Sequence, residues 1–222
     1  MAAVPRRVDL TLLKLVVISD GRGDLARLER TVAAAVDAGA RCVQLREPNW
    51  SARHYLEACE RLLPRLDRVR GLLLVNDRLD VAAARLCHGA QIGHRSLPPE
   101  IARDVVGPHA VLGYSAHDLG ELDLAAAGGC DFALLSPVWP TASKPGLPHL
   151  GPDRAGQLTG GARLPVVWLG GIDAAHAAAI APLQPPRRPV GIAVRGAVMA
   201  ADDPAAAVRA LLRAFDGLAE PA

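Results

Sequence analysis

The sequence is poor in aromatic rings: only 3% of its residues are Phe, Trp or Tyr, although 50% are hydrophobic. Its core must therefore be built from Leu, Val, Ile and Ala. An excess of one charge is also missing. A formal +2, spread along the chain, leaves no basic stripe of the kind that tracks nucleic acid. The four cysteines (Cys42, Cys59, Cys87, Cys130) include no CxxC pair and no Cys/His ligand spacing. They read as buried free thiols in a reducing compartment, which suggests a cytoplasmic location. No apolar run is long enough to span a bilayer. The basic start, Met1 to Arg7, leads into a segment broken by Asp9 and Lys14, so no secretory signal is read.

What the chain does contain is alternation. Leu13–Ile18 is a continuous apolar run, followed by Asp24 as a cap and by Leu25, Leu28, Val32 and Val36 at helical spacing, with a stop at Gly39. The scheme repeats. Strands are expected at Cys42–Leu45, Leu72–Val75, Ala90–Ile92, Val111–Gly113, Phe132–Leu135, Pro165–Leu169 and Val190–Val194. Between and after them fall helices opened by Ser51, over Leu79–Leu86, over Pro98–Val106, after Asp118, between Asp153 and Leu158, after Asp173, and over Pro204–Leu218. Ala181–Pro189 is a proline-rich connection, for which a loosely packed seventh helix is the plain explanation. Eight strand–helix units at this length predict one domain over 1–222, a (β/α)8 TIM barrel with its core at about 13–218. A doubly wound open sheet is the alternative, but the GxGxxG turn it would normally carry after the first strand is absent.

In such barrels chemistry sits at the carboxyl ends of the strands. Polar residues collect there: Gln44 and Arg46, Asn76 and Asp77, Ser115 and His117, then Thr141, Ser143 and Lys144. Gly170-Gly171 and Arg195-Gly196 end the last two strands, where backbone N–H groups commonly hold phosphate. The stretch Ser136 to Gly146 places two hydroxyls and an ammonium within four residues, between prolines that limit the entropy lost on ordering. Each feature has a plain structural reading. Arg46 could pair with Glu47, Asp77 could cap a helix, Gly170-Gly171 could be a tight turn, and the proline-rich stretch could be a surface loop. Their clustering on one rim favours a ligand site.

Gln44-Leu45-Arg46-Glu47, Val75-Asn76-Asp77-Arg78, Ile92-Gly93, Gly113-Tyr114-Ser115-Ala116-His117, Pro137 to Gly146 and Leu169-Gly170-Gly171-Ile172 occur in the order seen in the thiamine phosphate synthase/TenI family. The chain resembles that family from about Leu13 to Leu212. The resemblance implies a (β/α)8 barrel and one of two activities. Synthases join hydroxymethylpyrimidine diphosphate to thiazole phosphate and expel pyrophosphate with Mg2+. TenI-type members are thiazole tautomerases that aromatise thiazole carboxylate phosphate by moving a proton. It also implies that Gln44, Arg46 and Asn76 meet the pyrimidine diphosphate and Asp77 the Mg2+. Ser115, Thr141, Ser143 and Lys144 would surround the pyrophosphate and the thiazole substituents. Gly170, Gly171 and the Arg195-Gly196 turn would hold the thiazole phosphate. Two departures lean toward the tautomerase, for which His117 would pass the proton with Ser115 and Lys144 nearby. Pro48 replaces a lysine usual in synthases, and Ser96 replaces an aspartate that is a second Mg2+ ligand. Mg2+ is expected only with the synthase reaction. A non-catalytic sensor of a phosphorylated ligand is a third reading. The implied partners are small phosphorylated thiazoles and pyrimidines, with self-association into a homo-oligomer left open and no nucleic acid or membrane.

Overall fold

A computed structural model describes residues 8–141, 146 and 148–218. Eight short apolar segments form parallel strands: β1 (Leu15–Ile18), β2 (Cys42–Leu45), β3 (Leu72–Asn76), β4 (Gly89–Gly93), β5 (Val111–Ala116), β6 (Phe132–Leu135), β7 (Val166–Leu169) and β8 (Gly191–Val194). Each pairs with the next, and β8 returns to β1 through Leu15–Ile192 and Val16–Ala193. The ring is closed, so the barrel is the fold and the open sheet is excluded.

The helices outside the ring are α1 (Leu25–Asp37), α2 (Ala52–Arg68), α3 (Leu79–Ala83), α4 (Pro99–Val106), α5 (Leu119–Ala127), α6 (Gly151–Gly161), α7 (Ala174–Ile180), α8 (Gly196–Met199) and α9 (Pro204–Asp216). Asp24, Ser51, Asp118, Asp173 and Asp203 each accept a hydrogen bond from a first-turn backbone N–H, which satisfies a donor that the helix itself leaves unpaired.

Successive side chains of a strand point to opposite faces, and that alternation divides the core into two layers. Val16, Ile18, Cys42, Leu72, Leu74, Phe132, Leu134, Val167 and Ala193 fill the barrel interior. Their neighbours Leu15, Val17, Val43, Leu45, Leu73 and Val75 face the helices. The phenyl ring of Phe132 fits inside because its neighbour on β5 is Gly113. A Cβ there would lie 2.5 Å from the ring and 2.1 Å from Gln91 Oε1. Extending the inward register toward the strand ends reaches Gln44, Asn76, Gln91, Ser115, Ser136 and Arg195. The interior thus changes from apolar to polar at one end of the barrel, and that end is the floor of a cavity.

Some boundaries differ from the sequence expectation. β1 starts at Leu15 rather than Leu13, because Leu10–Leu13 forms a 3-10 turn capped by Asp9, whose carboxylate accepts the Thr11 N–H at 3.0 Å. α3 stops at Ala83, just before Arg85, which has a positive φ of 60°. α6 begins at Gly151 and runs to Gly161 despite its glycines. Its Thr159 hydroxyl accepts the indole N–H of the fully buried Trp168 at 2.8 Å, so tertiary packing overrides weak propensity. α8 is an extra turn with no counterpart in the expected pattern. α7 is well packed, with Ala177 and Ile180 fully buried. The proline-rich connection after it is fastened by Arg188, which donates to the carbonyls of Ala181 (3.1 Å) and Phe215 (2.7 Å).

Candidate functional site

At the carboxyl ends of the strands lies a cavity of about 510 Å³. Gln44, Arg46, Asn76, Asp77, Ser115, His117, Thr141, Gly170, Gly171, Arg195 and Gly196 all line it. These residues come from strands spread around the ring, and closure of the barrel brings them together. Ser143 and Lys144, expected beside Thr141, lie outside the described residues.

The floor is a hydrogen-bonded amide layer. Gln44 Nε2 donates to Asn76 Oδ1 at 2.9 Å, and Gln91 Nε2 donates to Ser115 Oγ at 3.0 Å. The buried Oε1 atoms of Gln44 and Gln91 have no partner among the described residues. An orphaned buried acceptor is costly in a native interior, and the one on Gln44 belongs to a residue that lines the cavity, where a ligand donor can satisfy it.

Beside this layer stands Asp77. Its φ is +58°, a left-handed conformation that a short acidic side chain tolerates better than most. Its N–H is held by the Gln91 carbonyl at 3.0 Å. The Ser96 hydroxyl donates to Asp77 Oδ1 and accepts the Gly93 N–H at 3.0 Å. Ser96 therefore sits against the carboxylate, next to where a second acidic group would be needed for a metal. Among the described residues no three His, Cys, Asp or Glu side chains gather into a metal cage.

Cationic groups ring the cavity. Arg46 follows β2, Arg95 lies in the loop between β4 and α4, and Arg195 ends β8. None of the three makes a side-chain hydrogen bond or ion pair among the described residues. Arg46 does not pair with Glu47. That glutamate is 3% exposed, and its carboxylate accepts the backbone N–H groups of Gly21 (3.1 Å) and Gly23 (3.0 Å). Its own N–H donates to Tyr55 Oη at 3.0 Å, and Ser19 Oγ accepts the Arg46 N–H at 2.8 Å. Glu47 is thus a buried pin that joins the loops after β1 and β2. Pro48 is exposed beside Gly21 and does not line the cavity.

His117 follows β5 and also lines the cavity, and its Nδ1 is 2.8 Å from Glu121 Oε2 on α5. His94 packs against it edge to face, with ring centroids 6.2 Å apart. Across the cavity, Gly170 and Gly171 have φ of +107° and +68°. They do more than free their own backbone. A Cβ on Gly171 would fall 2.3 Å from the Pro140 carbonyl oxygen, and one on Gly170 would fall 2.8 Å from Pro137 Cα. Val138 N–H donates to Leu169 O (2.9 Å) and Trp139 N–H to Gly170 O (3.1 Å), so this turn is also the bed on which the loop after β6 rests.

Sequence reasoning missed Gln91, Glu47, Glu121 and, as a cavity residue, His94. For Gln91 there was a usable signal, a lone amide inside the apolar run Ala90–Ile92. For Glu47 there was none, because its partners are glycine N–H groups more than twenty residues away.

A family model described as thiamine monophosphate synthase matches residues 15–198. The chain is 34% identical over 217 residues to a thiamine-phosphate synthase of Mycobacterium tuberculosis, covering 93% of this chain and 96% of that protein. It is 36% identical over 190 residues to that of Laribacter hongkongensis, covering 85% and 88%. A bifunctional protein, ThiM/ThiE, of Symbiobacterium thermophilum is 39% identical over 181 residues, and there the match covers 81% of this chain but 37% of the longer protein. Among solved structures, a thiamine phosphate pyrophosphorylase from Pyrococcus furiosus superposes with a TM-score of 0.83 at 30% identity, covering 93% of this chain and 97% of that one. Tryptophan synthase of Mycobacterium tuberculosis, at 15% identity and a TM-score of 0.66, shares the fold alone. A barrel with this rim, matched along nearly its whole length, belongs to the thiamine monophosphate synthase family.

Proposed function

We propose that the chain is a thiamine-phosphate synthase, joining hydroxymethylpyrimidine diphosphate to thiazole phosphate with release of pyrophosphate. One observation carries this reading. Three guanidiniums without protein partners among the described residues, Arg46, Arg95 and Arg195, converge with the Asp77 carboxylate on a single cavity. In the reaction the bond between the pyrimidine methylene carbon and the diphosphate oxygen breaks, and its electron pair leaves with pyrophosphate. The thiazole nitrogen supplies the pair for the new C–N bond. The difficulty is the negative charge gathering on the leaving group, and fixed cations in a partly enclosed site meet it. Pro48, where a lysine is usual in synthases, does not line the cavity, and Arg95, in the loop after β4, offers a positive charge there. The names of the relatives support the same reading.

Within it, Gln44, Arg46 and Asn76 hold the pyrimidine diphosphate. Ser115 and Thr141, with Ser143 and Lys144, surround the pyrophosphate, and Gly170, Gly171 and the Arg195-Gly196 turn take the thiazole phosphate. The donor set fits Mg2+, because this ion is commonly held by one or two carboxylates plus substrate phosphates rather than by a full protein cage. Asp77, with the Ser96 hydroxyl beside it, would hold the metal, and Mg2+ bound there would offset charge on the departing pyrophosphate.

A second reading, the thiazole tautomerase, has its own support in the His117–Glu121 pair at the cavity wall. The deciding assay supplies purified protein with both precursors, with and without Mg2+, and separately with thiazole carboxylate phosphate. Mg2+-dependent thiamine phosphate is the expected product. No product above background overturns the synthase. Aromatisation of the carboxylate without it supports the tautomerase, and tight thiazole phosphate binding with neither turnover leaves a sensor.

A further inference from the structure

Glu121 stands three residues after the cap of α5 and makes contacts that a cap alone does not require. Asp118 Oδ1 accepts the Glu121 N–H at 2.9 Å, as an N-cap does. In a capping box the glutamate carboxylate would return to the N–H of the cap residue itself. Here Oε2 reaches one residue further and accepts the His117 N–H at 2.7 Å. The same oxygen lies 2.8 Å from His117 Nδ1. Both side chains are partly buried, with 27% of the glutamate and 35% of the histidine side chain exposed. One oxygen thus grips the histidine at both its backbone and its ring.

A carboxylate oxygen only accepts, so the ring nitrogen facing it must carry hydrogen. That fixes the neutral imidazole as the Nδ1–H tautomer, with Nε2 as its basic nitrogen. The ring is also packed edge to face by His94 of the β4–α4 loop, with ring centroids 6.2 Å apart.

We propose that Glu121 is the positioning residue of His117, setting its tautomer and orientation so that a single basic nitrogen serves the cavity. The inference rests on the tautomerase reading only for its catalytic consequence. The geometry of the pair holds for either reaction.

The test is nitrogen NMR of 15N-histidine-labelled protein, with the His117 signal assigned by its loss in His117→Gln. In the wild type, neutral His117 carries its hydrogen on Nδ1. Glu121→Ala shifts the population to the Nε2–H form, while Glu121→Gln, which keeps an acceptor oxygen, retains most of the Nδ1–H form. Asp118→Ala controls for capping: it lowers the melting temperature and leaves the tautomer as in the wild type. An unchanged tautomer in Glu121→Ala overturns the proposal, as does a shift of equal size in Asp118→Ala. In a tautomerase assay, Glu121→Ala lowers kcat by about 10- to 100-fold with little change in KM, and Glu121→Gln recovers most of the rate. If the wild type lacks that activity, the tautomerase reading fails, and the NMR result alone decides the positioning role.

Discussion

At the scale of single residues, the site is built from groups whose neighbours set their chemistry. Burial pushes the Cys42 and Cys130 thiols up to about 12. A hydrogen bond from Cys59 holds the Cys87 thiol below its ordinary value, while that bond and burial push Cys59 up. The reactive species is the thiolate, so iodoacetamide near pH 8 should label Cys87 first and Cys42 only once the protein unfolds. Peptide mass mapping of a time course reads the order, and early labelling of Cys42 would contradict it. Asp77 is the residue on which the metal-dependent reading depends. Asp77→Asn keeps the size and tolerates the left-handed backbone, so its melting temperature should stay near the wild type. Mg2+-dependent product formation should fall by about 100-fold or more. Calorimetry with Mg2+ and pyrophosphate separates lost metal binding from misfolding. The rim residues could be read from the sequence because polar side chains at the ends of apolar runs stand out. Glu47 and Glu121 could not, since their roles come from partners brought near only by folding or by a local turn.

At the scale of elements, the short connections around the rim hold the site in place. Asp20 and Arg27 form a forked pair at 2.9 and 3.2 Å, and Arg27 also donates to the Met199 carbonyl, so the loop after β1, helix α1 and helix α8 meet at one guanidinium. Burial raises the Asp20 carboxyl, but the bonds and charge of Arg27, with Arg22 nearby, outweigh it and hold the group below its ordinary 3.8. A carboxyl lowered in the folded state stabilises above its unfolded value and loses that stability as pH falls through the folded value. Asp20→Asn should therefore cost roughly 1–2 kcal/mol at pH 6, about 3–6 °C in melting temperature. The gap should close as the pH is taken well below 3.8. A gap that is constant with pH in paired thermal melts would count against the ion pair. The Gly170-Gly171 turn makes a second case. Gly171→Ala meets both a positive φ and the Pro140 carbonyl, at a cost of about 2–4 kcal/mol, whereas Gly196 has open space around its missing Cβ. Gly196→Ala should melt within about 2 °C of the wild type. Helix starts were legible because Asp24, Ser51, Asp118 and Asp173 are unambiguous caps. Helix ends and the extra turn α8 were not, because α8 has no apolar periodicity of its own and is fixed by Arg27 and α9.

For the whole molecule, eight short, mostly apolar runs made the barrel legible, since strands buried on both faces leave little else for such runs to do. The inward register was less visible. Reading polar residues as loop ends found Gln44, Asn76 and Ser115 but passed over Gln91, which lies inside a strand. On the proposed synthase reading, the closed ring means that one cavity receives both a diphosphate and a thiazole phosphate. A crystal structure of the protein with Mg2+, pyrophosphate and thiazole phosphate tests this most directly. Both ligands are expected inside the cavity, with pyrophosphate contacted by Arg95 or Arg46 and by a metal on Asp77, and thiazole phosphate against Gly171 and Arg195. Either ligand bound outside the cavity, or a pyrophosphate that none of these arginines touches, would contradict it.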